Sequence, residues 1–507
     1  MLASALWFTG SAAESFVSTT DVVSQGIVAT IIVLVFAFLV VETAHRVLVV
    51  FSAAALLLAI SYLTPYRLIS FEAAGRSLDL NVLFLLAGMM AFVGVLKTTG
   101  VFPWAVHRLL DRAGGRPIII QALVIWFTGL VSALVDNVTT VIFVTPMIIE
   151  IARRTGARPM VYLLPMIMAA NIGGTATLIG DPPNILIASG ADLLFMDFIR
   201  DLTVPILVMM VMLEWFSRRY YIEDLENPSA PTAAGGPPPK IEDRSLLGWS
   251  LGVGIIVFAG FVTHGITGMP VAVPAIVGAA VLLVAQDVLY LRRHHPTHAE
   301  REHGLLQVIE QEIEWPTLSF FAFLFIAVGA AVETGLIESL AKGLVAFVRF
   351  GETTWNLSPA GSMVFAALSI CWAAGVLSAL VDNIPFVAVA IPIVARLAGE
   401  MPGDPMVLWW ALALGACLGG NGSPIGASAN VTVLGLAERS GAPIAFGEFL
   451  RMGAPVTAMT LAASSLFLAG YVYLGGGGVF KVGLAVLAAL AIWRAVAATR
   501  PPFAAEH

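Results

Sequence analysis

Charge is what this sequence has least of. Asp, Glu, Lys and Arg together make up 12% of its 507 residues, against about 25% in an ordinary soluble chain, too few to cover the surface of a soluble protein of this size. No basic stripe runs through it and the net charge of −7 is spread over loops, so nucleic acid is not expected as a partner. There are two cysteines, Cys371 and Cys417, both in apolar segments; a disulfide framework is excluded, and the two read as space-filling residues rather than as a disulfide or metal ligands. His107, His294, His295, His298 and His303 read as solvated loop residues. No histidine lies in either repeat core, so a nucleophile with its base has no candidate there, and neither an enzyme activity nor a cofactor is expected. Residues 1–26 lack a basic n-region and contain Glu14 and Asp21, which reads as an extracytoplasmic lead-in rather than a cleaved signal peptide.

Apolar residues fill the space that charge leaves. They account for 59% of the chain, and the mean hydropathy is +0.91. A hydrocarbon core about 30 Å thick takes roughly 20 apolar residues per helix, and such stretches recur from Ile27 almost to Arg500. The expected fold is an all-α polytopic membrane protein with about eleven transmembrane helices and two re-entrant hairpins.

Self-similarity is the strongest signal in the sequence. Ser132-Ala133-Leu134-Val135-Asp136-Asn137 recurs residue for residue as Ser378-Ala379-Leu380-Val381-Asp382-Asn383, an offset of 246. The same offset places Gly173-Gly174 on Gly419-Gly420, Ile179-Gly180 on Ile425-Gly426 and Asn184 on Asn430, without a gap. Upstream, Asp79 and Thr99-Gly100 match Glu314 and Thr334-Gly335 at an offset shorter by about ten residues. Composition alone does not place Asp-Asn twice in apolar surroundings. Each half therefore holds an entry helix, an Asp-Asn segment and a Gly-rich segment in that order.

Basic residues orient the segments, since cytoplasmic loops carry the excess of Lys and Arg. Residues 118–151 are flanked by Lys97, Arg108, Arg112 and Arg116 on one side and by Arg153, Arg154 and Arg158 on the other. Both ends look cytoplasmic, which makes the segment a re-entrant hairpin with Val135-Asp136-Asn137 at its tip. The second copy, 359–397, has sparser basic flanks mixed with acids, and five crossings separate the copies, so the second hairpin is expected to enter from the opposite face as an inverted-topology repeat. The expected organisation is a first half over 27–222 (first repeat 79–217, hairpin 118–151, broken helix 159–189), a cytoplasmic Pro/Gly linker over 223–246, a second half over 247–478 (second repeat 314–474, hairpin 359–397, broken helix 405–437), and a last helix with a cytoplasmic tail over 479–507. The segment 292–314 reads as a second cytoplasmic loop. The N-terminus is then outside and the C-terminus inside the cytoplasmic membrane.

Asn171 through Asn184, with its glycines, Pro182-Pro183, Thr175, Thr177 and Asp181, cannot form a continuous helix; its counterpart runs from Gly419 through Asn421, Ser423, Pro424, Gly426 and Ser428 to Asn430. Broken backbone inside a membrane is tolerated only where protein buries it or it lines a polar cavity. Each break presents a half-helix N-terminus beside free carbonyls, which suits an anion and a cation close together. Each hairpin tip is expected to lie on the Gly-rich break of its own half. Asp136 and Asp382 are the strongest candidates: a carboxylate in hydrocarbon costs about 2.5 to 3.5 kcal/mol on the mildest scale, and neither repeat offers a Lys or Arg to neutralise it. A bound cation or a proton remains, and Na⁺ at Asp136, Asn137, Asp382 and Asn383 fits that chemistry. Local helix capping by each Asp is the plain alternative. Asp181 carries a functional reading and a capping reading evenly. The candidate coupling and solute site is Asp136, Asn137, Thr139, Asn171, Gly173, Gly174, Thr175, Thr177, Asp181, Asn184, Asp382, Asn383, Gly420, Asn421, Ser423, Ser428 and Asn430, with Thr140 as a further hydroxyl near the first tip.

Val135-Asp136-Asn137-Val138-Thr139-Thr140, Asn171-Ile172-Gly173-Gly174-Thr175 through Gly180-Asp181-Pro182-Pro183-Asn184, Glu314-Trp315-Pro316-Thr317, Val381-Asp382-Asn383-Ile384-Pro385-Phe386 and Gly419-Gly420-Asn421 through Ala427-Ser428-Ala429-Asn430 resemble the motifs of the arsenite permease and NhaD-type sodium/proton antiporter family. That family lies within the ion transporter superfamily with the citrate and dicarboxylate carriers, and the second-half wording is most similar to the branch of the pink-eyed dilution protein and bacterial anion permeases. The resemblance spans about Leu80 to about Leu461. It implies a scaffold and a transport domain, an elevator-type movement and a homodimer in the lipid bilayer. The leading expectation is a secondary active transporter that uses Na⁺ or H⁺ to move a small solute: an inorganic anion, a carboxylate, or a metalloid such as arsenite. The alternatives are a Na⁺/H⁺ antiporter that carries no anion and, from another class, an anion channel.

Overall fold

The computed structural model describes residues 16–41, 44–228, 239–294 and 308–499. The linker's Pro/Gly core, most of the loop after His294, the first part of the N-terminal lead-in and the last residues of the tail lie outside the described residues. Everything described is helix or connection, with no strand. Nine of the described helices are long and apolar enough to cross a membrane, and Pro117–Ser132, Met160–Gly174 and Met406–Gly422 are shorter apolar helices.

Two compact units divide the chain: Met1–Asp79 with Ser319–Leu340, and Leu80–Leu318 with Ala341–His507. In the first, Val22–Val41 packs on Arg46–Leu63, and Phe51 meets Phe323 edge-on at 4.8 Å between ring centroids. The second unit holds both Asp-Asn segments and both Gly-rich segments.

Within it the Asp-Asn and Gly-rich segments of the two repeats run through the same elements in the same order. Each Asp-Asn segment is a helix pair with its break at the Asp: Pro117–Ser132 and Asn137–Thr155 in the first copy, Pro359–Leu380 and Asn383–Glu400 in the second. Proline opens each first arm, at the one helical position where a missing N–H costs nothing. Pro146 and Pro392, again 246 apart, interrupt the second arms at the same depth.

The Gly-rich segments begin as helices Met160–Gly174 and Met406–Gly419, in which every residue after the first is buried. These helices pack on each other and form the centre of the unit. A helix apolar on all faces belongs in such a place. Fifteen and fourteen residues reach only about 22 Å at 1.5 Å per residue, so each stops short of a full crossing. The chain then breaks and resumes as Pro182–Gly190 or Ser428–Arg439.

Those resumed half-helices cross over. Pro182–Gly190 packs on the second-repeat arm Asn383–Glu400, and Ser428–Arg439 packs on the first-repeat arm Asn137–Thr155, where the Arg153 guanidinium also donates to the Ser440 carbonyl at 3.0 Å. Glycine makes room: a Cβ on Gly190 would overlap the side chain of Ile391.

Several elements differ from the sequence expectation. The linker starts with a turn of helix, Ile222–Glu226, held by paired hydrogen bonds from Arg158 to the Asp224 carboxylate at 2.9 and 2.8 Å, which keep that guanidinium more firmly protonated than usual. Its far end, from Arg244, already belongs to helix Arg244–Thr267. Phe446–Thr499 is two helices that meet at a kink, where Gly475 takes a non-helical φ of 69°, and the final span is the second of them. Val101–Ala113 and Leu336–Trp355 are helices that follow each entry helix, so His107 is helical rather than in a loop.

Candidate ion and solute site

The tips are fastened to the breaks by the same hydrogen bonds in both copies. Ser132 Oγ donates to the Ala170 carbonyl at 2.7 Å, and Ser378 Oγ to that of Ala416 at 2.6 Å. From the other side, Thr177 Oγ1 donates to the Ala133 carbonyl and Ser423 Oγ to that of Ala379, each at 2.5 Å. Asn184 and Asn430 hold the broken backbone: Nδ2 of each donates at 2.9 Å to the carbonyl of Thr177 or Ser423. Close approach needs glycine here. A Cβ on Gly173 would overlap the Gly129 backbone, and one on Gly419 would overlap that of Gly375. The tips thus lie on the breaks of their own halves, while the half-helices beyond belong with the other half.

Asp136 and Asp382 are half-buried and serve as N-caps. Asp136 Oδ1 accepts from the Thr139 N–H at 2.8 Å, and Asp382 Oδ1 from the Ile384 N–H at 3.1 Å. Capping and ion binding are compatible, because a carboxylate has acceptor capacity beyond one N–H. Asp382 Oδ2 also accepts from Ser428 Oγ at 2.6 Å. The residue equivalent to Ser428 in the first repeat is Pro182, which has no hydroxyl to offer Asp136.

Asp181 is 1% exposed and does not cap the helix it precedes. The reason is local: Pro182 and Pro183 have no N–H, and the first available one, on Asn184, bonds the Asp181 carbonyl at 2.9 Å. The capping reading of Asp181 is therefore replaced. Its carboxyl lies against the Cys417 thiol and the Asn137 carboxamide, and its Oδ2 has no hydrogen-bond partner.

A chain of carboxamides crosses from one repeat to the other. Asn430 Nδ2 donates to the carbonyls of Gly420 and Ser423, so its Oδ1 must accept, and it does so from Asn171 Nδ2 at 3.1 Å. Asn171 Nδ2 also donates to Asn421 Oδ1 at 2.9 Å, and Asn171 Oδ1 accepts from Asn137 Nδ2 at 3.0 Å. Carbonyls only accept, so these two main-chain groups fix the orientation of every amide in the chain. Two ends are left over in the interior: Asn137 Oδ1, an acceptor, and Asn421 Nδ2, a donor; Asn383 Nδ2 is likewise without a partner.

Cys417 is the site residue that the sequence reading missed. It occupies the position of Asn171 at the same 246-residue offset, and its thiol donates to Asn184 Oδ1 at 3.5 Å, the mirror of the Asn171 to Asn430 bond. The offset was the available signal. Of the remaining candidates, Thr175 is buried beside Asn171, with Oγ1 donating to its carbonyl at 2.8 Å, whereas Thr140 Oγ1 turns back to the Val135 carbonyl at 3.4 Å. No cluster of three or more His, Cys, Asp or Glu suited to a metal ion occurs among the described residues.

Comparison with known proteins agrees with this architecture. A family model described as citrate transporter (CitMHS) matches residues 36–415 and 370–501. An uncharacterized transporter of Mycobacterium tuberculosis is 37% identical, over 87% of this chain and 96% of that one. The P protein of Mus musculus is 28% identical, over 91% of this chain and 61% of that one. Among solved structures, the YdaH transporter of Alcanivorax borkumensis superposes with a TM-score of 0.58 at 16% identity, covering 85% of this chain and 99% of the other; at that identity the likeness shows the fold.

Proposed function

Since the chain belongs to the citrate transporter family, a family of membrane transporters, we propose that it is an ion-coupled secondary transporter of a small anion, a carboxylate or an inorganic oxyanion, with Asp136 and Asp382 as the coupling carboxylates. The single observation that carries this reading is the pairing of opposite chemistries at the broken helices. Unpartnered donors, Asn383 Nδ2 and Asn421 Nδ2, lie on the second-repeat side, where the half-helix Ser428–Arg439 also begins. Donors and helix N-termini stabilise an anion without a fixed positive charge. The tip carboxylates supply the complementary cation site, Na⁺ or H⁺, beside broken backbone.

Coupling follows from charge balance. With the tips empty, an anion entering the centre meets the two tip carboxylates; with cations bound, it meets a less negative site whose free donors it satisfies. Cation and anion therefore bind with positive cooperativity, and the site favours crossing when both are present.

Proteoliposomes loaded against gradients of Na⁺ and of pH, and offered labelled citrate, phosphate and arsenite, test the reading. Uptake of one of these driven by either gradient is the expected result. Dissipation of a pH gradient by Na⁺ with no solute moved would replace the reading by the antiporter.

A further inference from the structure

Beside the first break, the second unit holds a cavity of about 450 Å³. Asn81 from the start of helix Leu80–Thr98, Ile185 and Ser189 from the half-helix Pro182–Gly190, Asp192 from the turn after it, and His264 near the end of helix Arg244–Thr267 line it, together with Leu178 of the break itself. The cavity runs along the half-helix. Leu178 and Ile185, 0% and 3% exposed, form its deep end, whereas Ser189 is half-buried and Asp192 is exposed at the mouth. Leu178 and Ile185 directly follow Thr177 and Asn184, the two residues that hold the first break, and Thr177 is also the residue whose hydroxyl reaches the first tip at Ala133.

The charge at the mouth has the wrong sign for its place in the fold. Asp192 takes φ 53° just beyond the C-cap Ala191, a left-handed position where glycine or asparagine is usual. It adds a carboxylate to a helix end whose carbonyls already carry partial negative charge. Among the described residues no Lys or Arg pairs with it; Arg200, in the next helix, is taken up by Asp201 at 2.8 Å and Asp197 at 3.4 Å. His264 brings no positive charge either, because its Nε2 accepts from the Phe195 N–H at 3.0 Å and is therefore unprotonated. A negative mouth thus leads past the Ser189 hydroxyl and the Asn81 amide to an apolar end beside the break. Resting on the transporter reading above, we propose that this cavity is the antechamber of the coupling cation. It collects a small monovalent cation at Asp192 and delivers it to the first break, where Leu178 and Ile185 close the way to the tip carboxylate Asp136. A field of one sign between low-dielectric walls concentrates counter-ions and repels the anionic solute, so the two enter by different routes.

Thiol labelling of the purified full chain reads this charge preference and needs no transported solute. Cys371 and Cys417 are buried, so Ser189→Cys reports from the cavity wall against a low background. Its rate with a cationic trimethylammonium methanethiosulfonate is divided by its rate with the anionic sulfonate reagent, and the quotient is normalised to that of a free small thiol. The expected preference for the cation is about tenfold, and adding Asp192→Asn should abolish it. Asn81→Cys is the reporter if Ser189→Cys does not fold. No preference, a preference for the anion, or one that Asp192→Asn leaves unchanged would overturn the proposal. In proteoliposomes that take up citrate or phosphate, Asp192→Asn is expected to raise the cation concentration for half-maximal uptake about two- to fivefold, the effect of one charge at a helix end, and Asp192→Glu should restore it; an unchanged value would also overturn the proposal. Absence of any uptake by wild type would count against the transporter reading, and the labelling ratio would still decide whether the cavity selects cations.

Discussion

The two repeats build the same scaffold and furnish it differently. Ser132 and Ser378, Thr177 and Ser423, and Asn184 and Asn430 make matching hydrogen bonds in the two copies. The groups that face the centre do not match: Asn171 against Cys417, Thr175 against Asn421, Asp181 against Ala427, Pro182 against Ser428. Backbone that has come out of a helix tolerates little change in what holds it, because every unmet N–H or carbonyl in hydrocarbon costs several kcal/mol. Groups that meet a ligand are under no such constraint, and duplication leaves them free to diverge. On the proposed reading, two copies of one frame make a single site with a donor-rich side and an acceptor-rich side.

The comparison can be broken most severely at the tips. Asp136→Asn and Asp382→Asn are each expected to abolish coupled uptake in proteoliposomes while leaving the chain folded and inserted; a variant that keeps full ion-dependent uptake removes its copy from the coupling assignment. Next come the glycine contacts. Gly173→Ala and Gly419→Ala should each destabilise by about 1 to 3 kcal/mol through overpacking, and thermal unfolding of the two variants should agree if the frames are equivalent. Asn171 and Cys417 sharpen the difference between copies: Asn171→Ala strands partners on Asn137, Asn421 and Asn430 and should cost about 1 to 3 kcal/mol, whereas Cys417→Ala, which removes one weak donor, should lower the unfolding temperature far less. The smallest effect is expected at Ser428→Ala. Removing the hydroxyl that holds Asp382 should alter the cation concentration for half-maximal uptake by about fivefold, near 1 kcal/mol, with no equivalent change available in the first repeat, where Pro182 stands.

Much of this frame was readable beforehand. The 246-residue offset located both tips, both breaks and both asparagines that hold the broken backbone, since buried polar residues in apolar surroundings leave a mark that composition does not mimic. Cys417 was equally marked by the offset and was read as filler, because a thiol among Ala, Leu and Gly resembles packing. Asp181 divided evenly between capping and function until the structure placed Pro182 and Pro183 where N–H groups would have been required. The helices Val101–Ala113 and Leu336–Trp355 were unread, their charged residues having served only to orient the segments around them.

The order of elements, the membrane setting and the identity of the polar groups were determined by the sequence itself, through the cost of placing charge and broken helix in hydrocarbon. Tertiary structure alone decided that Pro182–Gly190 lies on the second-repeat arm and Ser428–Arg439 on the first, and that four carboxamides from both halves join into one chain. An internal offset relates each residue to its copy and says nothing of what it touches; contact across the repeats is set by which small residues let helices approach, and that is a property of the packed centre.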